Sequence, residues 1–208
     1  QWRDFPIRQD EVRKIAENSS AFEIRIKENR MNAVASSDRR LPKYDISGLT
    51  VLILEQQSLM RDLMKQVFRE FKVKNVHITD DIDAAFQIFC EADIDLILTD
   101  WSHGIDGMAF LKNVRLHDDS PNPYVPVIVV TANTEIDHVF VARDTGMSEY
   151  LAKPVSANLI YSRICATIDS TRPFVRAGGF FGPDRRRRRS AYQGNDRRTN
   201  DLQVKTGG

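Results

Sequence analysis

Four short apolar runs, each ending in polar residues, constrain what this chain can fold into. VLILEQ closes on Glu55 and Gln56, and DLILTD closes on Asp100. PVIVVTAN closes on Thr131 and Asn133, and SEYLAKP carries Lys153 just past its apolar residues. Runs that are apolar at nearly every position read as strands buried on both faces, the habit of parallel sheets. In an open α/β sheet the carboxyl ends of the strands meet at one crevice. The runs therefore predict a single polar site that collects Glu55, Gln56, Asp100, Thr131 and Lys153, although these are far apart in the chain.

The segments between the runs carry helical spacing. Ser58–Phe71 places Leu59, Leu63, Val67 and Phe68 or Phe71 on one apolar face. Lys74–Ile78 reads as a short strand, and Ile82–Cys90 as a helix with Ile82, Ala85, Phe86 and Phe89 inward. Asp95–Thr99 is the third strand and Gly107–Leu116 a helix; Val127–Val130 is a strand and Glu135–Asp144 a helix. Ser148–Leu151 follows as an edge strand and Ser156–Ser170 as the last helix. Five β/α units with short connections imply right-handed crossovers and helices on both faces. The expected fold class is α/β, a flavodoxin-like doubly wound five-stranded parallel sheet in the order 2-1-3-4-5. A barrel would need eight such units.

Three regions follow from the same pattern: an extension and linker over 1–48, the α/β body over 49–170, and a tail over 171–208. The formal net charge of +1 conceals an asymmetry. The body carries 10 basic and 18 acidic side chains, whereas the tail carries 10 basic and 3 acidic. Such a tail is suited to an anionic partner or to its own acidic body. The extension reads as one or two amphipathic helices over about 8–32, followed by a polar linker, SSDRRLPKYDISG. It is open to packing on the body or pairing with a second subunit as a homodimer. No run of eighteen apolar residues predicts a membrane span. The opening QWRDFPIRQDEVRK lacks a signal-peptide core, and Cys90 and Cys165 read as helix core fillers, so a cytoplasmic setting is expected.

The stretch from Leu49 to Ser170 resembles the response-regulator receiver domain, the CheY-like phospho-acceptor module of two-component signalling. The resemblance lies in VLILEQQSLMR, DLILTDWSHGIDG, VIVVTAN and GMSEYLAKP. It implies Asp100 as the phospho-acceptor, Thr131 as the hydroxyl that contacts the phosphoryl oxygens, and Lys153 as the cation paired with carboxylate or phosphate. It also implies Tyr150 as the aromatic that follows Thr131 in a switch. The metal ligands it implies for Mg²⁺ are Glu55, Asp100 and the Ser102 backbone carbonyl, with a histidine kinase and a downstream target as partners. A carboxylate can accept a phosphoryl group once Mg²⁺ screens the incoming charge. No ordinary enzyme activity on a metabolite is expected, because no other nucleophile–base pair or cofactor loop is seen.

Two positions depart from the family pattern. Its adjacent carboxylate pair is here Glu55 and Gln56, and a neutral amide is a poorer ligand for a hard dication. Gly104 stands where the family usually has proline, which makes the loop after Asp100 pliable. Weakened Mg²⁺ binding, and weak or absent phosphorylation, are the expected consequences. His103 lies in that loop and is placed to touch the site or to face solvent. Signalling by protein–protein contact alone, as an adaptor, is the leading reading; a working phospho-acceptor is the alternative.

The tail repeats a Gly-x-Asp turn signal followed by arginines, in GPDRRRRR and GNDRR. Arg185, Arg186, Arg187, Arg188 and Arg189, with Arg197 and Arg198, are candidate anion-binding residues, since guanidinium groups clamp phosphates bidentately. Nucleic acid is one candidate partner. Cyclic di-GMP is another, because the tail is similar in composition to arginine-rich extensions of receiver-like proteins that bind it. An acidic protein surface, the body's own included, is the third. In composition the tail reads as an extended, irregular segment with too little apolar content to form a core.

Overall fold

The computed structural model describes residues 44–185, apart from 103, 134, 171 and 178. The expectations for the extension before residue 44, for His103, and for Arg186–Arg189, Arg197 and Arg198 lie outside the described residues.

Five parallel strands form the centre: β1 (Thr50–Leu54), β2 (Asn75–Thr79), β3 (Leu96–Asp100), β4 (Val127–Thr131) and β5 (Glu149–Ala152). Their spatial order is β2-β1-β3-β4-β5, as the sequence pattern predicts. The helices α1 (Ser58–Glu70), α2 (Ile82–Glu91), α3 (Gly107–Leu116), α4 (Ile136–Thr145) and α5 (Ala157–Ile168) connect and follow them.

Strand alternation divides the core into two layers. Val51, Ile53, Leu96, Leu98, Ile128 and Val130 face α1 and α5, where Met64, Phe68, Ile160 and Ile164 meet them. Leu52, Leu54, Ile97, Val127 and Val129 face the other way, against Ala85, Phe89, Phe110, Leu111 and Ala142. Successive side chains of a strand point to opposite faces, so a strand apolar at every position fills both layers. Each large aliphatic side chain so buried stabilises the fold by about 1.5–3 kcal/mol.

Local signals fix the helix ends. Asp81, Asp106 and Ser156 are N-caps whose side chains accept from the backbone N–H groups of Ala84, Ala109 and Leu159. Gly146 closes α4 at φ 102°, a left-handed conformation that glycine adopts without a Cβ penalty.

Cys90 is exposed and does not fill the core, and Cys165 is half-buried. Three larger expectations also need correction. Leu59 and Leu63 do not face inward on α1, Leu59 being 83% exposed. The buried stripe is Met64, Val67 and Phe68, with Met60 and Phe71 packed against it. Both sets have helical spacing, so the period alone selects neither. Second, the end of the linker belongs to the core. Tyr44 and Ile46 are buried, and the Tyr44 backbone N–H donates to the Tyr161 hydroxyl at 2.8 Å.

Third, the first part of the tail is neither extended nor irregular. Residues 174–183 form an antiparallel hairpin, β6 (Phe174–Ala177) and β7 (Phe180–Pro183). Phe180 and Phe181 are buried, and Phe181 joins an aromatic cluster with Tyr124 and Phe174. Gly182 lies so close to Gly146 that a Cβ there would come within 2.6 Å of the Gly146 Cα. The hairpin has no core of its own; it borrows one from the ends of α3 and α4.

Candidate functional site

The carboxyl ends of β1, β3, β4 and β5 converge as the sequence requires. Register sets Asp100 beside Val130, and Thr131 beside Ala152. Gly107 brings the start of α3 against β3, where a Cβ would lie 2.0 Å from the Asp100 carbonyl oxygen. Only a glycine permits that approach.

Asp100 is 1% exposed and Glu55 is 2% exposed. The Lys153 ammonium bridges them, its Nζ 2.8 Å from Glu55 Oε2 and 3.0 Å from Asp100 Oδ1. The contact to Glu55 is an aligned hydrogen bond. The contact to Asp100 Oδ1 is Coulombic only, and that oxygen has no aligned hydrogen-bond donor among the described residues. Ser102 Oγ donates to Asp100 Oδ2 at 2.7 Å, and the Gln57 N–H donates to Glu55 Oε1 at 3.0 Å. Burial pushes the Glu55 carboxyl above its ordinary value, opposed by the Lys153 and Gln57 hydrogen bonds and reinforced by the Asp100 charge.

Thr131 is fully buried; its Oγ1 donates to the Trp101 carbonyl at 2.6 Å and accepts from the Asn133 N–H at 3.1 Å. The Tyr150 hydroxyl donates to the Asn133 carbonyl, and burial raises its pKa. Thr131 and Tyr150 thus meet through the short segment that leads into α4.

Gln56 is exposed, and its amide lies over Gly104. A Cβ on Gly104 would meet Gln56 Oε1 at 1.8 Å and Nε2 at 2.1 Å. The two departures from the family pattern therefore occupy one place. Among the described residues, no group of three His, Cys, Asp or Glu side chains converges on a point able to hold a metal ion. Asp100 Oδ1, which accepts no aligned hydrogen bond among the described residues, and the Ser102 carbonyl, which accepts from the Ile105 N–H at 3.2 Å, are hard oxygen donors of the kind Mg²⁺ takes. Both Glu55 oxygens are already engaged. The residues fit Mg²⁺ in kind, with an amide at Gln56 in place of a second adjacent carboxylate.

Several residues that shape the site carry no pattern signal. Arg61 donates to the carbonyls of Glu55 and Gln56 at 3.0 and 2.6 Å and pairs with Asp80 at 2.9 Å, which locks the loop after β1. His138 on α4 packs at a tilt against Trp101 with ring centroids 4.7 Å apart, and its Nε2 lies 3.0 Å from the Asn133 amide nitrogen. Their spacing in the sequence gives no hint of either contact.

A 2-1-3-4-5 sheet with a buried aspartate and threonine and a half-buried lysine at its carboxyl edge defines a receiver-type domain. The chain belongs to the response regulator receiver family, whose domain model matches residues 51–165. It is 28% identical over 118 residues to the chemotaxis protein CheY-3 of Vibrio cholerae, covering 56% of this chain and 89% of that one. It is 29% identical over 117 residues to the chemotaxis protein CheY of Pseudomonas aeruginosa, covering 56% and 93%. Among solved structures it is similar to Vibrio cholerae CheY4, with TM-score 0.53 and 18% identity over 58% of this chain and 98% of that one. A response regulator from Thermotoga maritima gives TM-score 0.51 and 20% identity over 59% and 99%. At those identities the structural likeness speaks for the fold. Among the described residues, no helix is long and apolar enough to cross a membrane.

Proposed function

We propose that this receiver domain acts as a signalling adaptor through protein–protein contact, with Mg²⁺-dependent phosphorylation at Asp100 weakened or absent. The observation that carries the reading is the Lys153 bridge: one cation lies within 3.0 Å of both buried carboxylates. With an amide at Gln56, the pocket lacks the further negative charge that would draw in a dication. The apolar face of α4 supports the contact role, since Ile136, Phe140 and Val141 are all exposed. An open groove of about 550 Å³ runs from Trp101 past Gly104 to Val141. A downstream protein with a complementary apolar surface, or a histidine kinase, is the partner class.

The second reading, a working phospho-acceptor, is favoured by Asp100 Oδ1, which accepts no aligned hydrogen bond among the described residues, and by the Thr131–Asn133–Tyr150 chain, which leads from Thr131 toward α4. Incubation of the full chain with acetyl phosphate and Mg²⁺, followed by intact-mass analysis, separates the two. The adaptor reading expects little or no added phosphoryl mass. Conversion of most of the chain to an adduct that maps to Asp100 establishes the second reading instead.

A further inference from the structure

Thr131, Asn133, His138 and Trp101 form a closed circuit of contacts. Thr131 Oγ1 donates to the Trp101 carbonyl at 2.6 Å and accepts from the Asn133 N–H at 3.1 Å. The Asn133 amide nitrogen lies 3.0 Å from His138 Nε2. The His138 ring then returns to Trp101, with centroids 4.7 Å apart and planes tilted by 43°. His138 is half-buried and is the member of the circuit that belongs to α4. That helix is otherwise lightly held, since Ala142 is the only one of its residues that is buried. Ile136, Phe140 and Val141 are exposed on it.

The hydrogen bonds fix where the proton sits. Asn133 Oδ1 accepts from the Glu135 N–H at 3.1 Å, so the amide turns its NH₂ to His138. An NH₂ group only donates. Nε2 must therefore accept, with the ring neutral and its proton on Nδ1. A protonated ring carries N–H at both nitrogens, and donor would then face donor across the 3.0 Å contact. Turning the amide over does not help, because its NH₂ would then face the Glu135 N–H. No orientation of Asn133 serves both neighbours once His138 is charged.

Glu135 is placed to take the charged ring. Its Oε2 lies 4.0 Å from Nε2, and among the described residues it is the only charged group in ion-pair range of the ring. From the loop after β3 the ring meets Trp101, which does not titrate. Asp100, next to Trp101 in the chain, is engaged by Lys153 and Ser102. Asp106, at the start of α3, is engaged by the Ala109 N–H. From β5, Tyr150 donates to the Asn133 carbonyl, and burial raises its pKa, so it stays a donor.

We propose that His138 is a proton-operated latch on α4. Neutral, it holds Asn133 and fixes the start of the helix. Protonated, it releases Asn133, pairs with Glu135 and loosens the helix that carries Ile136, Phe140 and Val141. The consequence for partner binding rests on the adaptor reading, which gives that face to the partner; the latch itself does not.

The test uses the full chain, ¹⁵N-labelled and titrated between about pH 8 and about pH 5, where histidine changes charge. Long-range ¹H–¹⁵N spectra of the imidazole rings read protonation and tautomer, with His138 assigned by its loss in His138→Gln. Amide hydrogen exchange, relative to the intrinsic rate at each pH, reads α4. At the alkaline end His138 should be the Nδ1–H tautomer. Once it is protonated the α4 amides should exchange roughly 3- to 10-fold faster, the effect of one lost hydrogen bond. His138→Gln keeps an acceptor for Asn133 and cannot titrate, so its α4 exchange should stay constant across the range. Asn133→Ala should raise the His138 midpoint by roughly half a pH unit or more, and Glu135→Gln should lower it.

An Nε2–H tautomer at the alkaline end overturns the proposal. So does α4 exchange that rises as much in His138→Gln as in the parent, or a midpoint that Asn133→Ala leaves in place. None of these outcomes bears on the adaptor reading, whose test is the adduct at Asp100.

Discussion

Replacing Lys153 by Met removes the cation from between two buried carboxylates. At an effective dielectric near 20, each unit-charge contact of about 3 Å is worth roughly 5–6 kcal/mol before desolvation is subtracted. Removing one member of a buried ion pair typically destabilises by about 3–5 kcal/mol, because the remaining charge is left uncompensated. Here the loss has a ceiling, since one carboxyl can take up a proton instead. That escape costs about 1.4 kcal/mol for each pH unit above the ordinary carboxyl pKa, or roughly 4 kcal/mol at pH 7.5. Urea unfolding of both proteins at pH 7.5, 6.5 and 5.5 measures it. The expected deficit of Lys153→Met is about 3–4 kcal/mol at the highest pH, shrinking by about 1.4 kcal/mol per unit on acidification. A deficit under about 1 kcal/mol at pH 7.5, or one that does not change with pH, would refute the assignment of Lys153 as the cation that offsets the charge of the two carboxylates.

Glu55 supplies a pH dependence of its own. Its carboxyl is raised above 4.5 in the folded state, chiefly by burial. Above that value the folded protein holds a proton that the unfolded chain has released. The associated stability is therefore full below pH 4.5 and is lost as pH rises through the raised value. Glu55→Gln should flatten this part of the profile of urea midpoint against pH; an unchanged slope would contradict it. Phe181→Ala removes the ring that joins the hairpin to Tyr124 and Phe174 and should destabilise the whole domain by about 3 kcal/mol. If it unfolds within about 0.5 kcal/mol of the parent, the hairpin is not part of the folding unit.

The sheet and the site were legible for the same reason. A strand buried on both faces must be apolar throughout, and its first polar residues mark where it leaves the sheet. That alone brings Glu55, Asp100, Thr131 and Lys153 together. What could not be read depends on packing between segments with no shared period. Arg115 is the clearest case. In the last turn of α3 a basic residue suits the helix dipole and reads as solvated. It is instead 1% exposed, with Nε donating to the Gly146 carbonyl at 3.0 Å and Nη1 to the carbonyls of Pro123 and Val125 at 2.8 Å. Its Nη2 has no hydrogen-bond partner among the described residues, and burial lowers its pKa. The hairpin covers it, with the Phe174 ring 5.4 Å from Cζ. A composition rich in glycine and arginine hides this arrangement, because the apolar surface that receives Phe181 belongs to residues far earlier in the chain. Gln56 and Gly104 are the converse. Each departure was visible in the sequence, while their contact was not.

Magnesium titration of the parent and of Gln56→Asp, followed by the fluorescence of Trp101 beside Asp100, tests most directly whether the amide at Gln56 leaves the pocket with too little negative charge to hold a dication. The parent should show no saturable change up to on the order of 10 mM Mg²⁺. Gln56→Asp adds one negative charge beside Glu55, in the loop after β1, and should bind at least about tenfold more tightly. Saturation of the parent at submillimolar Mg²⁺, or no gain on adding the carboxylate, would contradict the account.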